Sequence, residues 1–177
     1  MSNNDKLKKE LNALLLGKLE EIKKSINITF AKEINIDSLK KYSWKNPPAE
    51  LLELPEGITA IYIIKSGKEL DYESLKKERD EFSDDKYQMA RPIGKNSETK
   101  HCLYVGQSKN VINRLKEHLF LSRKTTYALR LHKFNLLKNS SISISVYGFD
   151  NKSDEVQVFE DLLWDEYKPL FGRRGAK

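Results

Sequence analysis

The sequence predicts a mixed α/β (α+β) domain built on a small three-stranded antiparallel sheet flanked by helices. Two short apolar runs, residues 59–64 and 102–105, are rich in the residue types that favour strands. A third segment, residues 141–146, alternates serine with isoleucine or valine, as a half-buried strand does. Around these runs, apolar residues recur at helical spacing, which indicates helices packed on the sheet.

Four helices are expected between residue 72 and Pro169. The spacing predicts an acidic helix over 72–82, a helix over 109–121, a further helix over about 127–137, and a last helix that Pro169 ends. The buried stripe of the last helix is expected to consist of Val156, Phe159, Leu163 and Tyr167.

Residues 1–55 are expected to form an N-terminal helical arm, and residues 56–177 the main domain, with an insertion at about 66–100. An amphipathic helix is predicted over 4–25, followed by a short strand at 26–30. The prolines around Pro55 interrupt regular structure and place the boundary there.

Composition excludes several classes of protein. The 177 residues are 38% hydrophobic and 33% charged, and no run approaches the roughly 20 apolar residues of a membrane helix. Cys102 is the only cysteine, so no intrachain disulfide can form, and a reducing, cytoplasmic location is expected. The three histidines are scattered without the spacing of a zinc site.

The placement of charge indicates a polyanionic partner, most simply nucleic acid. Between positions 109 and 138 there are eight lysines and arginines, and Glu117 is the only acid. The alternative is a basic surface that merely keeps the chain in solution. The residues predicted to bind nucleic acid are Lys109, Lys116, Arg123, Lys124, Arg130, Lys133, Arg173 and Arg174.

Residues 101–120 carry the strongest chemical pattern. Tyr104 lies near the end of a predicted strand, and Arg114 and His118 are four residues apart, so they share one helix face. A guanidinium can donate two parallel hydrogen bonds to a phosphate, so the trio suits phosphate chemistry.

This pattern resembles the GIY-YIG nuclease signature across roughly residues 57–175. Tyr104-Val105-Gly106, Arg114 and His118 match its second half, Ala60-Ile61-Tyr62 its first half, and Glu160 its helix glutamate. The resemblance implies a divalent-metal-dependent DNA endonuclease that hydrolyses phosphodiester bonds. It also implies catalytic roles for Tyr62, Tyr104, Arg114, His118 and Glu160, with Glu160 as the single ligand of Mg²⁺ or Mn²⁺.

Three departures and one open assignment accompany the resemblance. Ala60 replaces the first glycine, Gln107 stands where some members have lysine, and Gly172 stands where asparagine is common. Tyr104 or Tyr62 could be the general base, and His118 is the alternative because histidine titrates near neutral pH. Taken singly, each tyrosine could be a core residue and Glu160 a solvated helix residue.

Three functions remain open from the sequence. The first is an endonuclease that acts alone on DNA, expected to be double-stranded, as restriction or mobile-element enzymes do. The second is a repair nuclease domain that needs a partner, and the third is a catalytically silent nucleic-acid-binding module. A homodimer is left open. The basic part of the insertion, residues 86–100, is expected to contact DNA as a loop held out from the sheet by the 72–82 helix.

Overall fold

A four-stranded antiparallel sheet forms the centre of the protein. The computed structural model describes residues 16–17, 20, 24, 26–54, 56–82, 88–93, 101–120, 126–149 and 154–175. The strands are β1 (Ile26–Asn35), β2 (Thr59–Ser66), β3 (Cys102–Ser108) and β4 (Ser141–Phe149), and they lie in the order β1-β4-β2-β3. The predicted α+β class is confirmed, whereas the predicted number of three strands is wrong.

The additional strand is β1, which pairs with β4 along its length, from Ile26 opposite Phe149 to Asn35 opposite Ser141. A short strand at residues 26–30 is predicted from the sequence, but not as part of this sheet. The second half of β1 contains Lys32 and Glu33. These charged residues interrupt the apolar pattern that predicts a strand, because β1 lies at an edge of the sheet that is partly open to solvent.

Four α-helices surround the sheet in the described part of the chain. They are α1 (Ala49–Leu52), α2 (Tyr72–Phe82), α3 (Val111–Leu119) and α4 (Asp154–Tyr167). Short 3₁₀ turns lie at Ile36–Lys41, Leu131–Lys133 and Asn135–Leu137. The helices predicted over 72–82 and 109–121, and the last helix, are therefore present.

The helix predicted over 127–137 is wrong, because two 3₁₀ turns take its place. Leu131, Phe134 and Leu137 are buried at intervals of three residues, which is the 3₁₀ period. Arg130 has a left-handed φ of 57° and Phe134 is extended, so no continuous α-helix can form. The carboxylate of Glu78 accepts hydrogen bonds from the backbone at the start of the second turn.

Each face of the sheet packs against a different helix. β2 is bonded to β4 on one side and to β3 on the other, so its residues are almost all buried. Ile61 and Ile63 face the layer that contains α4, whereas Tyr62 and Ile64 face the layer that contains α3. β3 is the edge strand on the side opposite β1, and its end near Ser108 leads directly into α3.

The sheet extends across the predicted boundary at residue 55. β1 lies in the same sheet as β2, and Leu39 and Leu51 contribute to the same apolar core as Tyr62. The division into an arm and a nuclease domain stays a prediction. The amphipathic helix predicted over 4–25 lies almost wholly outside the described residues, although the four described positions within it are helical.

The described part of the basic insertion is packed against the domain. Residues 88–93 form bridges between Met89 and Ala128 and between Pro92 and Phe171. Met89 is buried, and the backbone of Phe171 in turn donates to the carbonyl of Leu103 in β3. The expectation that the 72–82 helix holds this segment out from the sheet is therefore wrong for residues 88–93, while residues 94–100 lie outside the described part. Among the described residues, no helix is long and apolar enough to cross a membrane.

Candidate active site

Two stacked tyrosines form the centre of the candidate site. The register of the sheet places Tyr62 of β2 opposite Gly106 of β3, and the rings of Tyr62 and Tyr104 stack with centroids 5.9 Å apart. A Cβ atom on Gly106 would lie 2.6 Å from Cε1 of Tyr104 and 2.8 Å from Oη of Tyr62. A glycine is therefore required at this position because both tyrosine rings approach the backbone closely.

Helix α3 brings Arg114 against both tyrosines. The side chain of Asn110 caps the helix by accepting from the backbone N–H of Asn113 at 3.1 Å. Arg114 Nε donates to Tyr62 Oη at 3.2 Å, and Arg114 Nη2 donates to Tyr104 Oη at 3.3 Å. One guanidinium thus connects the two phenol oxygens.

Arg114 also makes two hydrogen bonds outside the tyrosine pair. Nη1 donates to Oε2 of Glu117 at 2.8 Å, and Nη2 donates to the backbone carbonyl of Tyr127 at 2.7 Å. Burial acts to lower the pKa of Arg114, but the phenol oxygens of Tyr62 and Tyr104 and the carboxylate of Glu117 outweigh it and raise the pKa. Arg114 is therefore a permanent cation held in a fixed orientation.

His118 lies one turn further along α3 and is fully buried. Its Nδ1 accepts from the backbone N–H of Leu129 at 3.2 Å, so in the neutral ring the proton is on Nε2. Nε2 lies 3.1 Å from Tyr62 Oη and donates to it. Burial, together with the charges of Arg114 and Arg130, holds the pKa of His118 well below its ordinary value. The premise that His118 titrates near neutral pH is therefore wrong, because both of its nitrogens are occupied and the neutral ring is favoured.

Tyr62 is 1% exposed, and its oxygen accepts from both His118 and Arg114. Burial raises the pKa of Tyr62 well above 10, and the neighbouring Tyr104 adds to this effect, whereas Arg114 opposes it. Tyr62 is therefore a neutral phenol at physiological pH, with its own O–H available as a donor.

Glu160 lies on α4, outside this hydrogen-bonded cluster. It is 4% exposed, and its Oε2 accepts from Nε2 of Gln157 at 3.1 Å. Gln157 is itself held by Gln107 of β3, whose Nε2 donates to Oε1 of Gln157 at 2.6 Å. Glu160 is close enough for its charge to contribute to the raised pKa of Tyr62. The fold therefore places Tyr62, Tyr104, Arg114 and His118 in direct contact and Glu160 next to them at the edge strand.

Burial raises the pKa of Glu160 to about 7, and the neighbouring charge of Asp161 adds to this effect. Amide groups of Gln157 and Gln107 offset part of it. No cluster of three or more histidine, cysteine or acidic residues that could hold a metal lies among the described residues. A buried carboxylate whose charge is compensated only by neutral amides nevertheless suits Mg²⁺, which often takes one or two protein carboxylates and keeps several waters.

A cavity of about 230 Å³ opens beside this cluster. Tyr104 and Arg114 line it, and so do Arg91, Tyr127 and Arg173. Among the five predicted catalytic residues, only Tyr104 and Arg114 line the cavity, whereas Tyr62 and His118 lie behind them in the core. A substrate phosphate placed here would meet the outer tyrosine and the guanidinium first.

A family model matches this part of the chain. Residues 94–174 match the model described as the GIY-YIG catalytic domain. This segment belongs to the GIY-YIG superfamily. GIY-YIG domains are generally endonucleases, and the match contains Tyr104, Arg114, His118 and Glu160. No curated protein and no solved structure gives a significant match to the chain.

The match begins after β2, so Tyr62 lies outside it. Sheet pairing nevertheless brings Tyr62 next to the residues inside the match. Tyr62 lies opposite Gly106 and is hydrogen-bonded to Arg114 and His118.

Two departures from the GIY-YIG pattern have local physical reasons. Gly172 has a φ of 120°, and a Cβ there would lie 3.1 Å from the ring of Tyr104, so an asparagine does not fit this backbone without strain. Gln107 holds the amide of Gln157 beside Glu160. Gln107 therefore contacts Gln157, whereas a lysine at this position would contact a phosphate.

Apart from Arg130, the predicted nucleic-acid-binding residues divide into three groups. Lys109, Lys133, Arg173 and Arg174 are exposed, and Arg174 forms an ion pair with Asp165. Lys116 is half-buried, with its Nζ 5.7 Å from the ring centroid of Trp44. Arg123 and Lys124 lie outside the described residues.

The prediction that Arg130 contacts phosphates at the surface is wrong. It is 1% exposed, so it cannot be a surface contact for phosphates. Its Nη2 donates to the carbonyl of Thr126 at 3.1 Å and lies 3.5 Å from the carbonyl of Gln88. A guanidinium carries five donors that can tie loops together internally, and sequence alone does not distinguish that use from phosphate binding.

Sequence reasoning also missed three residues at the site: Glu117, Tyr127 and Gln157. Arg91 lies within residues 86–100, the segment expected to contact DNA, but no contact with Tyr127 or Arg114 is predicted for it. The sequence does indicate a contact between Glu117 and Arg114. Glu117 is the only acid between positions 109 and 138, and it lies three residues after Arg114 on the same helix face. Gln157 had a similar signal, one turn before Glu160. Tyr127 is assigned to a helical stripe by its spacing, yet it is 47% exposed at the mouth of the cavity.

Proposed function

We propose that this protein is a divalent-metal-dependent endonuclease that hydrolyses phosphodiester bonds in double-stranded DNA. The observation that carries the proposal is the Arg114 guanidinium, which is bonded to the hydroxyls of Tyr62 and Tyr104 and lines an open cavity. Membership in a superfamily of nuclease-type domains supports the class of reaction. The net charge of +6 supports an anionic substrate.

Arg114 would bind the scissile phosphate and stabilise the charge that develops on it in the transition state. Its Nη1 bond to Glu117 would then be exchanged for bonds to phosphate oxygens. The contacts to Tyr62 and Tyr104 would stay in place and fix the plane of the guanidinium.

Tyr104 is the residue we assign to the attacking water. Of the three candidates for the base, Tyr62 is a buried neutral phenol and His118 is a neutral ring with both nitrogens occupied. Tyr104 is half-buried and lines the cavity, so its hydroxyl can reach water and phosphate. Tyr62 and His118 then act as positioning residues, since they hold Arg114 and the packing of Tyr104.

Glu160 is the residue we assign to the metal, with Mg²⁺ or Mn²⁺ as the ion. When bound, the ion would neutralise charge on the phosphate and on the leaving oxygen. Gln157 and Gln107 would orient the Glu160 carboxylate through the two hydrogen bonds described above.

We extend the proposal to an enzyme that acts alone, of the restriction or mobile-element type. The chain supplies its own candidate phosphate contacts at Arg91, Lys109 and Arg173, all of which are exposed. Cleavage of both strands at a palindromic site would require a homodimer, which size measurement with DNA bound would test.

Incubation of the purified protein with supercoiled plasmid, linear duplex, single-stranded DNA and RNA tests the proposal. We expect nicked or linear DNA in the presence of Mg²⁺ or Mn²⁺, and no cleavage in the presence of EDTA. Cleavage of RNA alone would contradict the choice of DNA, and metal-independent cleavage would contradict the role of Glu160. Salt-sensitive binding without any cleavage would favour a silent binding module.

A further inference from the structure

We propose that the cavity beside Arg114 is a subsite for one nucleotide that flanks the scissile phosphate. The base of this nucleotide is turned out of the duplex and stacks on Tyr127, and its backbone phosphate lies between Arg91 and Arg173. This inference rests on the proposed function, because it places the nucleotide relative to the bond that is cut.

The walls of the cavity suit a base with its phosphate. Tyr127 offers an aromatic ring that is 47% exposed, and the guanidinium of Arg91 lies 5.9 Å from the centroid of that ring. Arg91, Arg114 and Arg173 give the lining three cations, and none of the described residues that line it is acidic. An exposed aromatic ring among cations is the usual arrangement for stacking an unpaired base beside its backbone.

The size of the cavity favours a single flat ring system. Its volume of about 230 Å³ is below the roughly 300–1,000 Å³ of pockets for drug-sized ligands. Ala90 and Gly172 contribute small side chains or none to its lining, which leaves room beside the rings of Tyr104 and Tyr127.

The backbone that presents Arg91 is fixed in place. Ala90 N–H donates to the carbonyl of Ala128 at 2.9 Å, and Gly172 N–H donates to the carbonyl of Arg91 at 2.9 Å. Arg79 of α2 adds bonds to the carbonyls of Met89 and Ala90. A segment that is already ordered loses little entropy when it binds a ligand, so the arrangement is prepared for binding.

Tyr127 is also connected directly to the candidate catalytic cluster. Its backbone carbonyl accepts from Nη2 of Arg114 at 2.7 Å, and Nη2 also donates to Tyr104 Oη. A nucleotide stacked on Tyr127 would therefore lie next to the phosphate that Arg114 binds. The subsite would fix the register of the strand relative to the cleaved bond.

An abasic scan combined with a Tyr127 variant tests the subsite. The probes are duplex oligonucleotides that span a cleavage site mapped in the plasmid assay, each with one abasic nucleotide near the cut. Equilibrium binding is measured in EDTA, so that no cleavage occurs. We expect one abasic position to weaken binding by wild-type protein by about tenfold, and to have no further effect on Tyr127→Ala.

Two further variants define the contacts. Tyr127→Phe should behave as wild type, because stacking needs the ring and not the hydroxyl. Arg91→Gln should keep the abasic effect but reduce the slope of log affinity against log salt by about one. Leu136→Ala is the matched control, because Leu136 is an exposed apolar residue that does not line the cavity.

The outcomes separate this inference from the proposed function. If wild type cleaves DNA but no abasic position depends on Tyr127, the subsite is refuted and the nuclease proposal stands. If Tyr127→Ala abolishes the effect of one abasic position while its thermal melting matches that of Leu136→Ala, the subsite is supported. If wild type neither cleaves nor binds DNA, both proposals fail.

Discussion

Replacing Tyr62 with phenylalanine should destabilise the protein far more than the same substitution at Tyr104. The hydroxyl of Tyr62 accepts from His118 Nε2 at 3.1 Å and from Arg114 Nε at 3.2 Å, and the residue is 1% exposed. Phenylalanine fills the same space but leaves both donors without their acceptor, and the fully buried His118 has no access to water.

The magnitude follows from the two donors. A buried donor left unsatisfied costs about 1–3 kcal/mol. His118 takes this full range, whereas Arg114 lines an open cavity and takes its lower end, so the pair should cost about 2–4 kcal/mol of unfolding free energy. In a chain of this length, each kcal/mol corresponds to about 2–4 °C in Tm, so Tyr62→Phe should lower Tm by about 4–16 °C. Among the described residues, the Tyr104 hydroxyl accepts only from Arg114 Nη2, which keeps the carbonyl of Tyr127 as a partner. Tyr104→Phe should therefore cost less than about 1 kcal/mol.

Thermal and urea denaturation of the two variants beside wild type checks this reasoning, with cleavage of plasmid measured in parallel. We expect Tyr62→Phe to be clearly less stable, and Tyr104→Phe to be nearly as stable as wild type yet inactive. Equal melting temperatures for wild type and Tyr62→Phe would refute the hydrogen-bond geometry assigned to His118 and Arg114. An active Tyr104→Phe would refute its assignment to the attacking water.

Three further predictions concern charge at the site. Arg114→Lys keeps the charge but loses the two-pronged donor, so single-turnover cleavage should fall at least about a hundredfold, and near-normal turnover would reduce Arg114 to a phosphate tether. The pKa of Glu160 is raised to about 7, so the carboxylate is mostly protonated below that pH, and the apparent affinity for Mg²⁺ should rise about tenfold between pH 6 and pH 8; a flat profile would contradict this. Glu117→Gln removes the carboxylate that competes for Arg114, so binding of duplex DNA should tighten, and weaker binding would show that Glu117 instead orients the guanidinium.

The parts of the fold that sequence predicts best are those with a strong local pattern. β2 and α3 have apolar residues at the periods of a strand and a helix, and both are present. β1 is missed as part of the sheet, because an edge strand with charged residues has no clean alternation. The two 3₁₀ turns are mistaken for a helix, because spacing of three is close to 3.6 over so short a segment.

The candidate site also contains some features that a local sequence pattern predicts and others that it does not. Tyr104, Arg114 and His118 lie within fifteen residues, so a sequence motif can connect them. The neutral state of His118 depends on its burial and on Leu129, which no local pattern reveals. Arg91 lies in the basic segment expected to contact DNA, but it meets Tyr127 only through long-range packing, which no local sequence pattern predicts.

The most direct test of the nuclease proposal is the Mg²⁺ dependence of plasmid cleavage by Glu160→Gln. Glu166→Gln is the matched control, since Glu166 lies on the same helix but is exposed. We predict that Glu160→Gln still binds DNA but does not cleave it at any Mg²⁺ concentration, while Glu166→Gln cleaves as wild type does. Full Mg²⁺-dependent cleavage by Glu160→Gln would contradict the assignment of the metal to this carboxylate.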